Sequence, residues 1–184
     1  MADSLDVKSE HRTVDELRTG LERVREAPRD AGTLELIVGR PGVDERLVLA
    51  SGELDVDRGL VADRWSRGSR PNPKAQVTMM NVRVTELVAG DRSRWPLAGD
   101  QLYVDFDLSG DNIPPGTRLA IGSAVIEVSD QPHLGCEKFS ARFGQVAREF
   151  ANSPEGTAVN FRGINTRVVQ SGTVRVGDTV RKLR

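Results

Sequence analysis

At 184 residues, the chain has room for one domain with a sizeable core and a short appendage. Its 26 basic and 27 acidic residues give a net charge of −1, so no global field recommends a nucleic acid or an anionic membrane as partner. One cysteine excludes an internal disulfide, and no segment is long and apolar enough to cross a bilayer.

The opening Met1-Ala2-Asp3-Ser4-Leu5-Asp6 lacks the basic start and apolar stretch of a secretory signal, which predicts a cytoplasmic, soluble and reduced protein. Thr13 followed by Glu16 is a capping-box pattern, and Val14, Leu17, Leu21 and Val24 recur at helical spacing, so an amphipathic helix is expected from Val14 to Glu26. Ala27-Pro28-Arg29-Asp30-Ala31-Gly32 ends it. Residues 1–31 therefore read as an N-terminal helical extension and residues 32–184 as the main domain.

Leu34-Glu35-Leu36-Ile37-Val38 and Arg46-Leu47-Val48-Leu49-Ala50 flank Gly39-Arg40-Pro41-Gly42, which predicts a hairpin. The loop from Asp63 to Lys74 carries Arg64, Arg67, Arg70 and Lys74 against a single acid. Guanidinium groups take phosphate bidentately, which suits the phosphate of a small organic cofactor; a solvated polar loop has the same composition and, on this segment alone, is the favoured reading. Gln76-Val77-Thr78-Met79 is a short strand. A helix follows, capped by Asn81, with Val84, Leu87 and Val88 on its apolar face and Gly90 at its stop.

Residues 102–108 alternate polar and apolar as a half-buried strand does. Arg118-Leu119-Ala120-Ile121 and Ala124-Val125-Ile126-Glu127-Val128 enclose Gly122-Ser123, a two-residue hairpin loop. Short strands around Val168, Val174 and Val180 are separated by turns at Ser171-Gly172 and Gly177-Asp178. Many short strands with glycine turns, and no regular strand–helix alternation, predict a mainly β, antiparallel barrel with a few short helices.

Cys136 stands in Gln131-Pro132-His133-Leu134-Gly135-Cys136-Glu137-Lys138-Phe139, between a strand and a helix. N–H groups and the helix dipole at such a position favour the thiolate, a nucleophile and a soft metal donor, and Lys138 and His133 would add to the effect. An isolated cysteine is most often a small buried hydrophobe, and on the chemistry of the residues alone that core reading is the favoured one. Phe139, Phe143, Val146, Ala147 and Phe150 mark one face of a single helix, whose packing would fix the loop. His133 is a loop residue first and a proton partner of Cys136 second, since nearness in sequence does not establish nucleophile–base geometry. In Arg162-Gly163-Ile164-Asn165, an arginine begins a strand and a glycine permits close backbone approach. There is no Gly-x-Ser-x-Gly elbow, phosphate-cradling loop, His-Glu-x-x-His or Cys-x-x-Cys, and two histidines, one of them His11, exclude a multi-histidine metal site.

Taken in order, four blocks of the sequence resemble the MOSC family, the domain found at the C-terminus of molybdenum cofactor sulfurases and as small stand-alone bacterial proteins. The blocks are Gly59-Leu60-Val61-Ala62-Asp63-Arg64-Trp65, Ser109-Gly110-Asp111-Asn112-Ile113, Leu119 to Val128 leading into Cys136, and Phe161-Arg162-Gly163-Ile164-Asn165 through Val180. The resemblance runs from about Gly32 to Leu183. It implies a MOSC-type β-barrel with a site centred on Cys136, which would carry sulfur as a persulfide or ligate the molybdenum of a pterin cofactor. By the same likeness Arg64, Lys138 and Arg162 would grip the pterin phosphate, Asn112 would orient polar atoms in the pocket, and Gly163 counts among the cofactor-binding positions.

Two departures from the family pattern stand out. The family commonly has Gly-Asp-Arg-His where this chain has Ala62-Asp63-Arg64-Trp65, which removes a titratable group. It commonly has Pro before the cysteine, and Gly135 in its place predicts a looser backbone beside the thiol.

The resemblance implies two functions. In one, the chain is an enzyme that binds molybdenum cofactor through the Cys136 thiolate and reduces a small N-oxygenated substrate with electrons from a partner protein. In the other it is a non-catalytic carrier, accepting persulfide sulfur on Cys136 from a cysteine desulfurase; pyridoxal phosphate then enters only through that partner. Neither involves a nucleic acid or a membrane.

Overall fold

In the computed structural model the described residues are 11–183, and the opening segment read for a secretory signal lies outside them. Helix α1 (Val14–Arg25) begins at the expected capping box, with Thr13 Oγ1 accepting from the Glu16 N–H and the Glu16 carboxylate accepting from the Thr13 N–H. Leu17, Leu21 and Val24 are buried, each contributing roughly 1.5–3 kcal/mol through burial. The helix thus packs on its own chain.

The strands are, in chain order, β1 (Ala31–Gly39), β2 (Leu47–Leu49), β3 (Ser51–Asp55), β4 (Gly59–Leu60), β5 (Val77–Asn81) and β6 (Leu102–Asp105). They continue with β7 (Arg118–Ile121), β8 (Ala124–Val128), β9 (Ile164–Gln170), β10 (Gly172–Arg175) and β11 (Thr179–Lys182). Seven of them close a barrel in the order β1-β6-β5-β9-β8-β7-β11 and back to β1, with β2 added on β1. Closure leaves the barrel strands no free edge. The pairing is antiparallel as expected except between β5 and β6, which run parallel. Strands β3 and β4, which the sequence pattern did not single out, form a small sheet with β10.

Alternation divides the core in two. Met79 of β5 joins Val77, Leu102 and Ile126 inside the barrel, whereas its neighbour Met80 joins Leu36, Tyr103 and the helices outside it. That outer layer contains α1, α2 (Val82–Ala89), α3 (Glu137–Phe143), α4 (Gln145–Ala151) and α5 (Pro154–Ala158). Asn81 caps α2 through its side chain, and Gly90 ends it at φ 69°.

The single helix expected behind Cys136 is two. Gly144, at φ 94°, separates α3 from α4, a conformation open to glycine and costly for other residues. Phe139, Phe143, Ala147 and Phe150 are nevertheless all buried in one cluster, with Val146 packed against it. Among the described residues, no helix is long and apolar enough to cross a membrane.

Candidate functional site

Cys136 is the N-cap of α3, in extended backbone conformation (φ −108°, ψ 177°), and it is exposed. Of the two readings of an isolated cysteine, the core residue is therefore excluded. The loop that carries it is held from behind: Asn152 Oδ1 accepts from the Gly135 N–H at 2.8 Å, and Asn152 Nδ2 donates to the Gly135 carbonyl at 3.0 Å. A Cβ on Gly135 would lie 3.2 Å from the Arg148 carbonyl oxygen. The expectation of a loose backbone is reversed, because glycine here allows a close approach to α4 that hydrogen bonds then fix.

The thiol opens onto a cleft of about 180 Å³ whose walls carry Arg40, Arg46, Arg64, Lys138, Arg142 and Arg162. Against these six cations stand Asp44 on the wall and the fully buried Asp63 and Asp100 behind it. The excess is three positive charges, in a chain whose net charge is −1. Burial, then the neighbouring Arg142 charge, lowers the pKa of Arg46 from the usual arginine value.

One short segment gathers four of these arginines. The 3-10 helix Arg92–Ala98 ends at Gly99, which is left-handed at φ 90°. Its last carbonyls each accept from a different guanidinium: Pro96 from Arg46 at 3.1 Å, Leu97 from Arg142 at 2.8 Å, Ala98 from Arg162 at 3.0 Å and Gly99 from Arg40 at 2.9 Å. Carbonyls at the end of a helix are its electronegative pole and suit cations. Two buried carboxylates complete the framework. Asp63 accepts from the Arg40 guanidinium at 2.7 Å and from the Trp65 N–H at 2.9 Å, and Asp100 accepts from Arg162 at 2.6 Å. Arg162 also lies over the Phe139 ring, 5.0 Å from its centroid.

Of the residues singled out in the sequence, the structure brings Cys136, Arg64, Lys138 and Arg162 to this cleft. Lys138 pairs with Asp44 at 3.1 Å, whereas the exposed Arg64 side chain has no partner among the described residues. His133 and Gly163 line a neighbouring cavity of about 410 Å³, which also touches Arg162. Gly163 does permit close approach, but to strand β5: at φ 101°, an added Cβ would meet the Met79 carbonyl oxygen at 2.3 Å. Asn112 lines neither space. Its side-chain amide donates to the Arg29 and Asp107 carbonyls and accepts from Lys182, so it braces the barrel end.

Arg40, Arg46, Arg142 and the two buried aspartates were not singled out. Arg40 read as a turn residue and Arg46 as a strand residue, and the segment 92–99 carries no motif. What collects them is the pairing of β1 with β6, which brings the β1–β2 hairpin beside that segment. Only the presence of three arginines within or just beside predicted elements hinted at it.

No curated protein matches the sequence. In fold, the chain is similar to YiiM from Geobacillus stearothermophilus, with 17% identity and a TM-score of 0.58 over 84% of this chain and 75% of that one. YiiM from Escherichia coli gives 18% and 0.57 over 84% and 70%, and the YUAD protein from Bacillus subtilis 16% and 0.55 over 84% and 97%. The MOSC domain model matches residues 75–181, which include Cys136, Lys138 and Arg162, and the chain belongs to the MOSC domain family.

Proposed function

We propose that the chain binds molybdenum cofactor in the Cys136 cleft, with the Cys136 thiolate as its ligand to the metal and the cationic wall holding the pterin phosphate. The observation that carries this reading is the exposure of the chain's one thiol in a cleft ringed by six cations.

The residues fit such a group. Among the described residues, no three His, Cys, Asp or Glu side chains gather where they could hold a metal by themselves. One soft thiolate suits a metal that brings its other ligands on an organic carrier, and guanidinium groups suit the carrier's phosphate. Arg64 is the cation freest to take it. It also lines an open groove of about 520 Å³ with Trp65, Arg67 and Arg70, which extends the space beyond the small cleft.

When bound, the cofactor supplies a two-electron redox centre. The chain's own groups hold and orient: Asp63 fixes Arg40, Asp100 and Phe139 fix Arg162, and Asn152 fixes the backbone before Cys136. The substrate under this reading is a small N-oxygenated molecule, and an electron-transfer protein is the partner. A reducing compartment suits an exposed unpaired thiol, so the cytoplasm is the location that goes with this reading.

The exposure of Cys136 also supports the carrier reading, in which a pyridoxal-phosphate-dependent cysteine desulfurase loads sulfur onto it. Protein made in a cofactor-competent host separates the two. Near-stoichiometric molybdenum and pterin support the enzyme, and an intact mass raised by one sulfur after desulfurase and cysteine supports the carrier. Protein with neither contradicts both.

A further inference from the structure

A cavity of about 410 Å³ adjoins the cleft and shares the Arg162 wall with it. Its volume falls in the range of roughly 300–1,000 Å³ typical of small-molecule sites. Ile113, Val128, Leu134, Ala151, Phe161 and Ile164 make much of its wall apolar. Both charged residues on the wall are already paired, Asp130 with Lys74 at 2.9 Å and Arg162 with Asp100 at 2.6 Å. A charged guest would lose its hydration there without gaining a countercharge, so the cavity discriminates against ions.

Among the described residues, three buried side-chain atoms lack a hydrogen-bond partner, and all three belong to one cluster at this cavity: Asp100 Oδ1, His133 Nδ1 and Arg162 Nε. His133 Nδ1 faces Asp100 Oδ1 at 3.5 Å. Burial, then the Arg162 charge, pushes the His133 pKa down to about 4, with Arg40 adding to the fall and Asp100 opposing it. The ring is thus neutral near pH 7, with one nitrogen a donor and the other an acceptor. A carboxylate beside Nδ1 favours the tautomer protonated there, which leaves the Nε2 lone pair as the free acceptor of a ring that lines the cavity.

We propose that this cavity binds a small uncharged molecule with an apolar body and a single N–H or O–H donor, the donor meeting His133 Nε2. The site is distinct from the Cys136 cleft, which His133 does not line, and it stands whether or not a metal binds at Cys136.

Indole, an apolar ring with one N–H, and indene, the same shape without it, are the probes. Both are titrated against the full chain by saturation-transfer NMR. Indole should bind roughly fivefold more tightly than indene, the worth of one net hydrogen bond. His133→Phe should bring indole down to the affinity of indene. Thr157→Trp, at an exposed position on the cavity wall, should block both probes while the melting curve shows a folded protein. Equal binding of the two probes by the unaltered chain, no binding of indole, or undiminished binding by a folded Thr157→Trp protein would overturn the site.

Discussion

Asn152 clasps Gly135 through both ends of its side-chain amide, and so ties the end of α4 to the backbone one residue before the exposed Cys136. Asn152→Ala removes both hydrogen bonds, which should cost about 1–3 kcal/mol. In a chain of this size, each kcal/mol lowers the melting temperature by about 2–4 °C. Gly135→Pro should act in the same direction, because proline has no N–H to give. Thermal unfolding followed by circular dichroism reads the loss, and faster alkylation of Cys136 reads the loosened loop. Unchanged melting and alkylation would show that the clasp holds nothing.

His133 makes stability depend on pH. Its folded pKa of about 4 lies below the ordinary histidine value of 6.5, so between those values the unfolded chain takes up a proton that the folded chain refuses. Its contribution is complete above pH 6.5 and is lost as pH falls towards 4. The size is at most about 3 kcal/mol, reduced by the 16% of the side chain that remains exposed. Denaturant unfolding of His133→Gln should show a flatter pH dependence across this window than the unaltered chain, and parallel curves would contradict the assignment.

Arg162 and Arg64 line the same cleft but should behave differently. Arg162→Ala leaves Asp100, fully buried, without its ion pair, a change that typically costs about 3–5 kcal/mol. Arg64→Ala, at an exposed side chain, should change stability by no more than about 0.5 kcal/mol while weakening phosphate binding. Equal destabilisation of the two variants would contradict the roles given to them.

Gly99 tests the arginine cluster as a unit. Its φ of 90° is open to glycine, and an added Cβ would stand 3.4 Å from the Arg142 guanidinium and 3.5 Å from that of Arg46. Gly99→Ala should cost about 1–2 kcal/mol in backbone strain and lower phosphate affinity several-fold, read by calorimetry. Phosphate affinity equal to that of the unaltered chain would show that the four carbonyls do not set the cleft's charge.

The local signals in the sequence carried well into the fold. The Thr13 and Asn81 caps, the Gly122-Ser123 hairpin and the Cys136 position at a helix start all depend on residues a few places apart, and each is found. The break at Gly144 was hidden because the apolar spacing of Phe139, Phe143, Ala147 and Phe150 carries on across it. The clasp on Gly135 was hidden because its partner lies 17 residues away. The cleft itself was only half visible. Cys136 and Lys138 stand two residues apart at the start of α3, but Arg40, Arg46 and Arg142 meet only when β1–β6 pairing and the packing of α3 bring the hairpin and that helix to the same four carbonyls.

Molybdenum content tests the central assignment most directly. Cys136→Ser should fold like the unaltered chain, because the side chain it replaces is exposed. Both proteins would be made in a cofactor-competent host and measured by elemental analysis. Near-stoichiometric molybdenum in the unaltered chain, falling to a small fraction in Cys136→Ser, is the expected result. Equal molybdenum in the two proteins, or none in either, would contradict a metal held by this thiolate.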